Sequence, residues 1–145
     1  MPKTTKAFLL YCMLISTGLN AQSSYELNSG WKCVQASSIK DNGTTISNLS
    51  YDIQSWKAAT VPGTVLTTML NNIEIPDPFY GVNNEKIPDI YNVGKGFYTY
   101  WFLNDFKETA SSTEQVYLHF RGINYSCNVF LNGISSISNC IKECF

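Results

Sequence analysis

From Phe97 onward the chain is written with a period of two. Phe97, Thr99, Trp101 and Leu103 alternate with Tyr98, Tyr100, Phe102 and Asn104, and side chains that alternate in this way stand on opposite faces of an extended strand. Both faces begin apolar or aromatic, so this strand is expected between two layers. Val116, Leu118 and Phe120 then alternate with Tyr117, His119 and Arg121; after Gly122 the apolar register passes to Ile123, Tyr125, Cys127, Val129 and Leu131. A change of parity at a glycine predicts a β-bulge or a break in the strand. Asn132-Gly133 closes the run with the pair that a two-residue hairpin turn favours.

A hairpin turn calls for a returning strand, yet Ile134, Ile137, Ile141 and Phe145 are spaced by three and four. That spacing conflicts with the turn before it. Residues 134–145 are therefore set apart as an aberrant or out-of-frame tail, with a short amphipathic helix as the alternative.

Upstream, residues 25–60 carry Trp31, Val34, Ile39, Ile46, Leu49, Ile53 and Trp56 among Asn, Ser, Asp and Gly. This predicts two or three short strands with loops, and Asp41-Asn42-Gly43 predicts a turn. Pro62-Gly63 punctuates the chain, because both residues restrict or relax the backbone rather than pack. Thr64 is placed to cap a short helix over Val65–Leu70, ended by Asn71-Asn72, with Val65, Leu66, Met69 and Leu70 on one face. Ile73–Pro88, with three prolines and Gly81, reads as an ordered loop. Together these signals give an all-β sandwich with one short helix.

The first residues read as an address. Lys3 and Lys6 precede an apolar run from Ala7 to Ile15, and Leu19-Asn20-Ala21 offers a small residue for cleavage. The run is well short of the ~20 residues a bilayer span needs. Residues 1–21 are accordingly expected to be a signal peptide, which implies a periplasmic or secreted product, or a lysosomal one in a eukaryote, with no membrane attachment after cleavage. Removing them takes away two lysines and no acid, so the net charge moves from −1 to −3. That sign, with only 14% charged residues, excludes a basic nucleic-acid binder. Cys33, Cys127, Cys140 and Cys144 remain, with three ways of pairing. Asn42, Asn48 and Asn124 head N-glycosylation patterns.

Catalytic chemistry is hard to place. The lone His119 alternates with apolar neighbours and has no nucleophile motif beside it, so it reads as a sheet-face histidine. No phosphate-binding glycine loop occurs. The Cys140-x-x-x-Cys144 spacing is looser than a zinc knuckle, and neither metal nor cofactor is expected. At 145 residues the chain is also too short for a TIM barrel, which takes about 200 or more.

Five ordered motifs carry a resemblance. They are Trp56-Lys-Ala-Ala-Thr-Val-Pro-Gly-Thr-Val-Leu66, Asp77-Pro-Phe-Tyr-Gly-Val-Asn-Asn84, Tyr100-Trp-Phe102 with Phe106, Leu118-His-Phe-Arg-Gly-Ile-Asn-Tyr125 and Val129-Phe-Leu-Asn-Gly133. In order and spacing the chain resembles the N-terminal sugar-binding domain of glycoside hydrolase family 2, in its exo-β-glucosaminidase and β-mannosidase branch. The resemblance covers residues 25–133 and implies a jelly-roll, galactose-binding-like β-sandwich over 22–133, incomplete at its C-terminus. It further implies an exported exo-β-glycosidase whose two catalytic glutamates lie on a later TIM barrel of the same chain. No residue here matches them, so no catalytic residue is assigned and the chain alone is expected to be inactive. A free-standing carbohydrate-binding module and the non-functional product of a damaged gene are the alternatives.

Roles follow for the matching positions. Pro62, Gly63, Trp101, Gly122, Asn132 and Gly133 are structural. On the Pro-rich loop, Asp77, Tyr80 and Asn83 could hydrogen-bond sugar hydroxyls while Phe79 or Tyr80 stacks on a pyranose face, facing β-linked carbohydrate or the barrel. Against this, Asp77 and Asn83 could merely brace the loop through Asx-type turns. Trp31 and Trp101 read as core fillers.

Overall fold

The computed structural model describes residues 23–92, 98–109, 115–123 and 126–141. The expected signal peptide, Phe97, Asn124, Tyr125 and Cys144 lie outside them. Within them the chain is mostly strand and loop with few helices and small sheets, as expected of a galactose-binding-like β domain.

One sheet has three strands, β1 (Lys32–Gln35), β2 (Lys57–Ala58) and β3 (Tyr100–Leu103), in the order β2-β1-β3. All pairs are antiparallel: Cys33 lies opposite Lys57 on one side and opposite Phe102 on the other. Single backbone bonds extend both ladders, Ala59 N–H to the Trp31 carbonyl at 2.9 Å and Ala36 N–H to that of Thr99 at 2.8 Å. The strand expected over 97–106 thus shrinks to four residues, each half-buried rather than enclosed.

Among the described residues two α-helices occur where one was expected. In α1 (Gly43–Ile46) the side chain of Asn42 accepts the Thr45 N–H at 2.9 Å. The Asp41-Asn42-Gly43 signal therefore starts a helical turn, because an Asn suited to a reverse turn is equally suited to an N-cap. The second helix, α2 (Val65–Asn71), is the expected one, with Thr64 Oγ1 accepting from Thr67 N–H at 3.1 Å. Its buried face is narrower than the apolar pattern implied: Met69 and Thr68 are buried, whereas Leu70 is 36% exposed. Thr68 is satisfied because its hydroxyl accepts the Thr60 N–H at 3.1 Å.

Between β2 and α2 the chain turns at Val61-Pro62, a cis peptide, and Gly63. A Cβ on Gly63 would sit 2.8 Å from the Thr60 carbonyl oxygen, so the corner excludes any side chain there. Helix α2 ends in a Schellman arrangement. Glu74 N–H bonds the Met69 carbonyl at 2.9 Å and Ile73 N–H that of Leu70 at 3.0 Å, which puts Ile73 at φ +59°. That is the glycine position of such a cap, occupied here by a β-branched residue that is 90% exposed.

The second sheet is a hairpin of β4 (Ser126–Leu131) and β5 (Ile134–Ile141). Asn132 at φ +50° and Gly133 at φ +80° make the turn, both in the left-handed region that such a turn requires. The turn docks on α1: Gly133 N–H donates to Ser47 Oγ at 2.9 Å, and a Cβ on Gly133 would meet Asn48 Oδ1 at 2.8 Å. Asn48 Nδ2 in turn donates to the Thr44 carbonyl at 2.9 Å. Phe130 reaches across to α1, close enough to Gly43 that a Cβ there would collide with its ring, and its ring centroid is 6.0 Å from that of Trp101.

A returning strand therefore follows the turn, contrary to the expectation for residues 134 onward. The register explains the misleading spacing. Leu131 pairs with Ile134, Val129 with Ile137 and Cys127 with Cys140, so two irregularities add two residues to β5. Each bulge inserts one residue, which turns a period of two into the observed step of three.

The opposite correction applies to 115–123. No strand pairs with this stretch among the described residues, and Val116, Tyr117 and Leu118 are 57%, 76% and 46% exposed. Alternation specifies a strand only where a ladder partner accepts its backbone groups. At Gly122 the outcome is thus the break rather than the bulge. His119 is exposed, and the stretch is tied to the N-terminal side by an Arg121–Glu26 ion pair of 2.6 Å.

The buried apolar side chains come one from each part of the main body: Cys33 of β1, Ile46 of α1, Trp56 before β2, Met69 of α2 and Ile75 after it. Tyr51 stands edge-on to Trp56 with centroids 6.2 Å apart. Trp31 is half-buried and donates its indole N–H to the Leu27 carbonyl at 2.6 Å. Leu49, expected among the apolar set, is 81% exposed.

Ile73→Gly is expected to stabilise the protein by roughly 1 kcal/mol, since it relieves a left-handed β-branched residue and loses almost no burial. Gly63→Ala is expected to destabilise it by roughly 1–3 kcal/mol through the collision with Thr60. Urea unfolding of both variants measures the two signs.

Candidate functional site

The loop after α2 brings the four expected residues together but uses them unequally. Asp77 Oδ1 accepts the Phe79 N–H at 2.9 Å, closing an Asx turn, and Asn83 Nδ2 donates to the Asp77 carbonyl at 3.1 Å. Asn83 Oδ1 accepts from Lys86 Nζ at 3.0 Å. These bonds are the bracing role weighed for Asp77 and Asn83 in the sequence. Backbone bonds from Tyr80 N–H to Asp77 and from Asn83 N–H to Tyr80, both 3.2 Å, tighten the turn. A single 3₁₀ turn, Asn83–Lys86, follows.

The aromatic pair is left outward. Phe79 is 95% exposed and Tyr80 78% exposed. Adjacent exposed rings on a loop held by its own polar groups form a preorganised apolar surface, which is the property a stacking platform needs. The polar groups needed for orientation are present in the same turn, although Asp77 Oδ1 and both ends of the Asn83 amide already have partners.

A concavity not anticipated from the sequence lies beside the three-stranded sheet. It encloses about 180 Å³ and is lined by residues that include Cys33, Gln35, Ser55, Lys57 and Tyr100. That is smaller than the roughly 300–1,000 Å³ typical of small-molecule sites. Its electrostatics centre on Lys57, whose Nζ donates to Glu74 Oε2 at 2.5 Å. This bond raises the Lys57 pKa above its ordinary value. Burial pushes up the Cys33 thiol, with the Glu74 charge adding to it, and burial likewise raises the Tyr100 phenol. Among the described residues no group of three His, Cys, Asp or Glu could hold a metal ion, and no helix is long and apolar enough to cross a membrane.

All three shifts are upward, so the folded state holds these protons more tightly than the unfolded state. Their stabilising contribution is complete below the ordinary pKa values and disappears as pH climbs through the raised ones. Thermal melts at fixed ionic strength are expected to be flat near neutrality and to fall above about pH 9. Lys57→Met is expected to melt lower at neutral pH, by no more than about 1 kcal/mol for so exposed a pair, and to converge on the parent at the alkaline end.

Comparison with known proteins matches residues 31–140 to the glycosyl hydrolase 2 galactose-binding domain-like family. The match runs past Gly133 into β5. A mannosylglycoprotein endo-beta-mannosidase of Lilium longiflorum is 46% identical over 114 residues, which is 77% of this chain and 12% of that protein. An exo-beta-D-glucosaminidase of Streptomyces avermitilis is 30% identical over 105 residues, 72% of this chain and 11% of the relative. One from Amycolatopsis orientalis is 24% identical over 100 residues, 69% and 9% respectively. The chain thus spans about a tenth of the length of these relatives. No solved structure matches it. With the braced aromatic loop, the Pro-Gly corner and the Asn-Gly hairpin all inside the matched span, the chain belongs to the galactose-binding-like domain family of glycoside hydrolase family 2.

Proposed function

We propose that this chain is the non-catalytic, carbohydrate-facing module of an exported family 2 β-glycosidase, with residues 1–21 as its leader and hydrolysis carried by a separate TIM barrel. The single observation behind the carbohydrate role is the exposed Phe79–Tyr80 pair on a loop whose Asp77 and Asn83 are engaged in holding its shape. The names of the relatives, an endo-beta-mannosidase and exo-beta-D-glucosaminidases, support a β-linked mannosyl or glucosaminyl glycan as the partner. Rings of this kind contribute by stacking on the apolar face of a sugar, which suits a surface that positions a chain rather than a pocket that encloses it.

Calorimetric titration with β-1,4-mannan and chitosan oligomers tests the reading. Binding by the parent chain is expected to weaken roughly five- to tenfold in Phe79→Ala or Tyr80→Ala, with the melting temperature unchanged because both side chains are exposed. No heat with either oligomer would leave the loop a scaffold only. The exported species is expected to begin at Gln22, which N-terminal sequencing of the processed product measures.

A further inference from the structure

We propose that the concavity beside the three-stranded sheet is a second binding site, one that takes a single neutral sugar ring. Strand pairing builds it. Gln35 lies directly opposite Tyr100, and Cys33 directly opposite Lys57. Opposed residues share a face, as do residues two apart on one strand, so all four belong to the same face of the sheet. Ser38, which ends the 3₁₀ turn after β1, and Ser55, two residues before β2, complete the wall.

The lining sets the chemistry of the ligand. Among the described residues the Gln35 amide, the Ser38 and Ser55 hydroxyls and the Tyr100 phenol have no hydrogen-bond partner, so open donors and acceptors converge on one space. One Lys57 N–H is committed to Glu74 at 2.5 Å, which leaves two for a ligand and offsets the positive charge. An anion therefore meets no free cation here, and a cation no free carboxylate. Cys33 and the Tyr100 ring add apolar surface that suits the C–H face of a ring. An uncharged, hydroxyl-rich ligand with one apolar face answers to a pyranose. The volume sets the number of units: about 180 Å³ is the space of roughly six waters, enough for one ring and too little for an oligomer.

This site shares no residue with the 77–83 loop, and its ligand class follows from its own lining. The loop presents an aromatic surface along which a glycan can lie. The concavity instead surrounds one unit with hydrogen-bonding groups held by three strands. Either site can fail without the other.

Methyl β-D-mannopyranoside and methyl β-D-glucopyranoside, titrated into the isotopically labelled full chain and followed by amide NMR, test the site. The expected result is saturation with a Kd of about 1 mM, the strength usual for a ligand of this size, with the shifts centred on Gln35, Ser38, Ser55, Lys57 and Tyr100. Tyr100→Phe and Ser55→Ala each remove one hydroxyl and are expected to weaken binding roughly three- to tenfold. Their melting temperatures are expected to stay unchanged, since neither hydroxyl has a partner within the described fold. Methyl β-D-glucuronide is expected to bind more weakly than the neutral glucoside. Phe79→Ala/Tyr80→Ala is expected to leave monosaccharide binding intact, and Tyr100→Phe to leave the mannan and chitosan oligomers bound at the loop, so the two sites are read separately. No saturable shift, shifts confined to residues 77–83, binding unaffected by both hydroxyl deletions, or a glucuronide that binds more tightly than the glucoside overturns the proposal.

Discussion

A β-strand is stable only where its backbone groups find a partner, and β1 meets that requirement on both edges. Lys32 and Cys33 hold β2 on one side and all four of its residues hold β3 on the other, so segments separated by some seventy positions in sequence are fixed against each other. Trp31, just before β1, and Cys33 within it anchor the strand through an indole hydrogen bond and burial. The Lys57–Glu74 bond then fastens β2 to the end of α2, and the end of α2 is where the loop bearing Phe79 and Tyr80 departs. The exposed Phe79 and Tyr80 rings are thus positioned by a short chain of physical links that starts at the central strand.

The hairpin is connected differently. No ladder joins it to the three-stranded sheet among the described residues. What holds it is side-chain packing: the Phe130 ring against α1 and near Trp101, together with the Gly133 N–H bond to Ser47. Dispersion contacts and one hydrogen bond are less directional than a ladder. Interactions confined to β4 and β5, the cross-strand pairs above all, therefore matter more to this sheet than to its neighbour.

Much of this was legible in the sequence, and the failures share a cause. Thr64 capping α2, the Pro62-Gly63 corner and the Asn132-Gly133 turn are local devices, in which backbone chemistry within a few residues decides the outcome, and all three appear as read. Strands 115–123 and 134–141 were misassigned in opposite directions because their fate depends on a distant partner. The first alternates in sequence but lacks a ladder among the described residues; the second has one and hides it behind two bulges. At the site, the composition of the 77–83 loop singled out Asp77, Phe79, Tyr80 and Asn83, which the fold gathers on one turn. It could not apportion them, because Asp77 and Asn83 have polar groups that serve a turn and a ligand equally well. The Lys57 concavity was invisible, since Cys33, Lys57 and Tyr100 meet only through strand pairing.

The docking of the Asn132-Gly133 turn on α1 changes what kind of place the hairpin tip is. Tips of this sort ordinarily hang in solvent and tolerate lengthening, nicking by proteases or grafted segments. Here Ser47 accepts the Gly133 N–H, and the side chain of Asn48 fills the space where a Cβ on Gly133 would go. An inserted residue would therefore have to unseat a helix as well as open a turn. Length variation within this family should be absorbed elsewhere than at this tip.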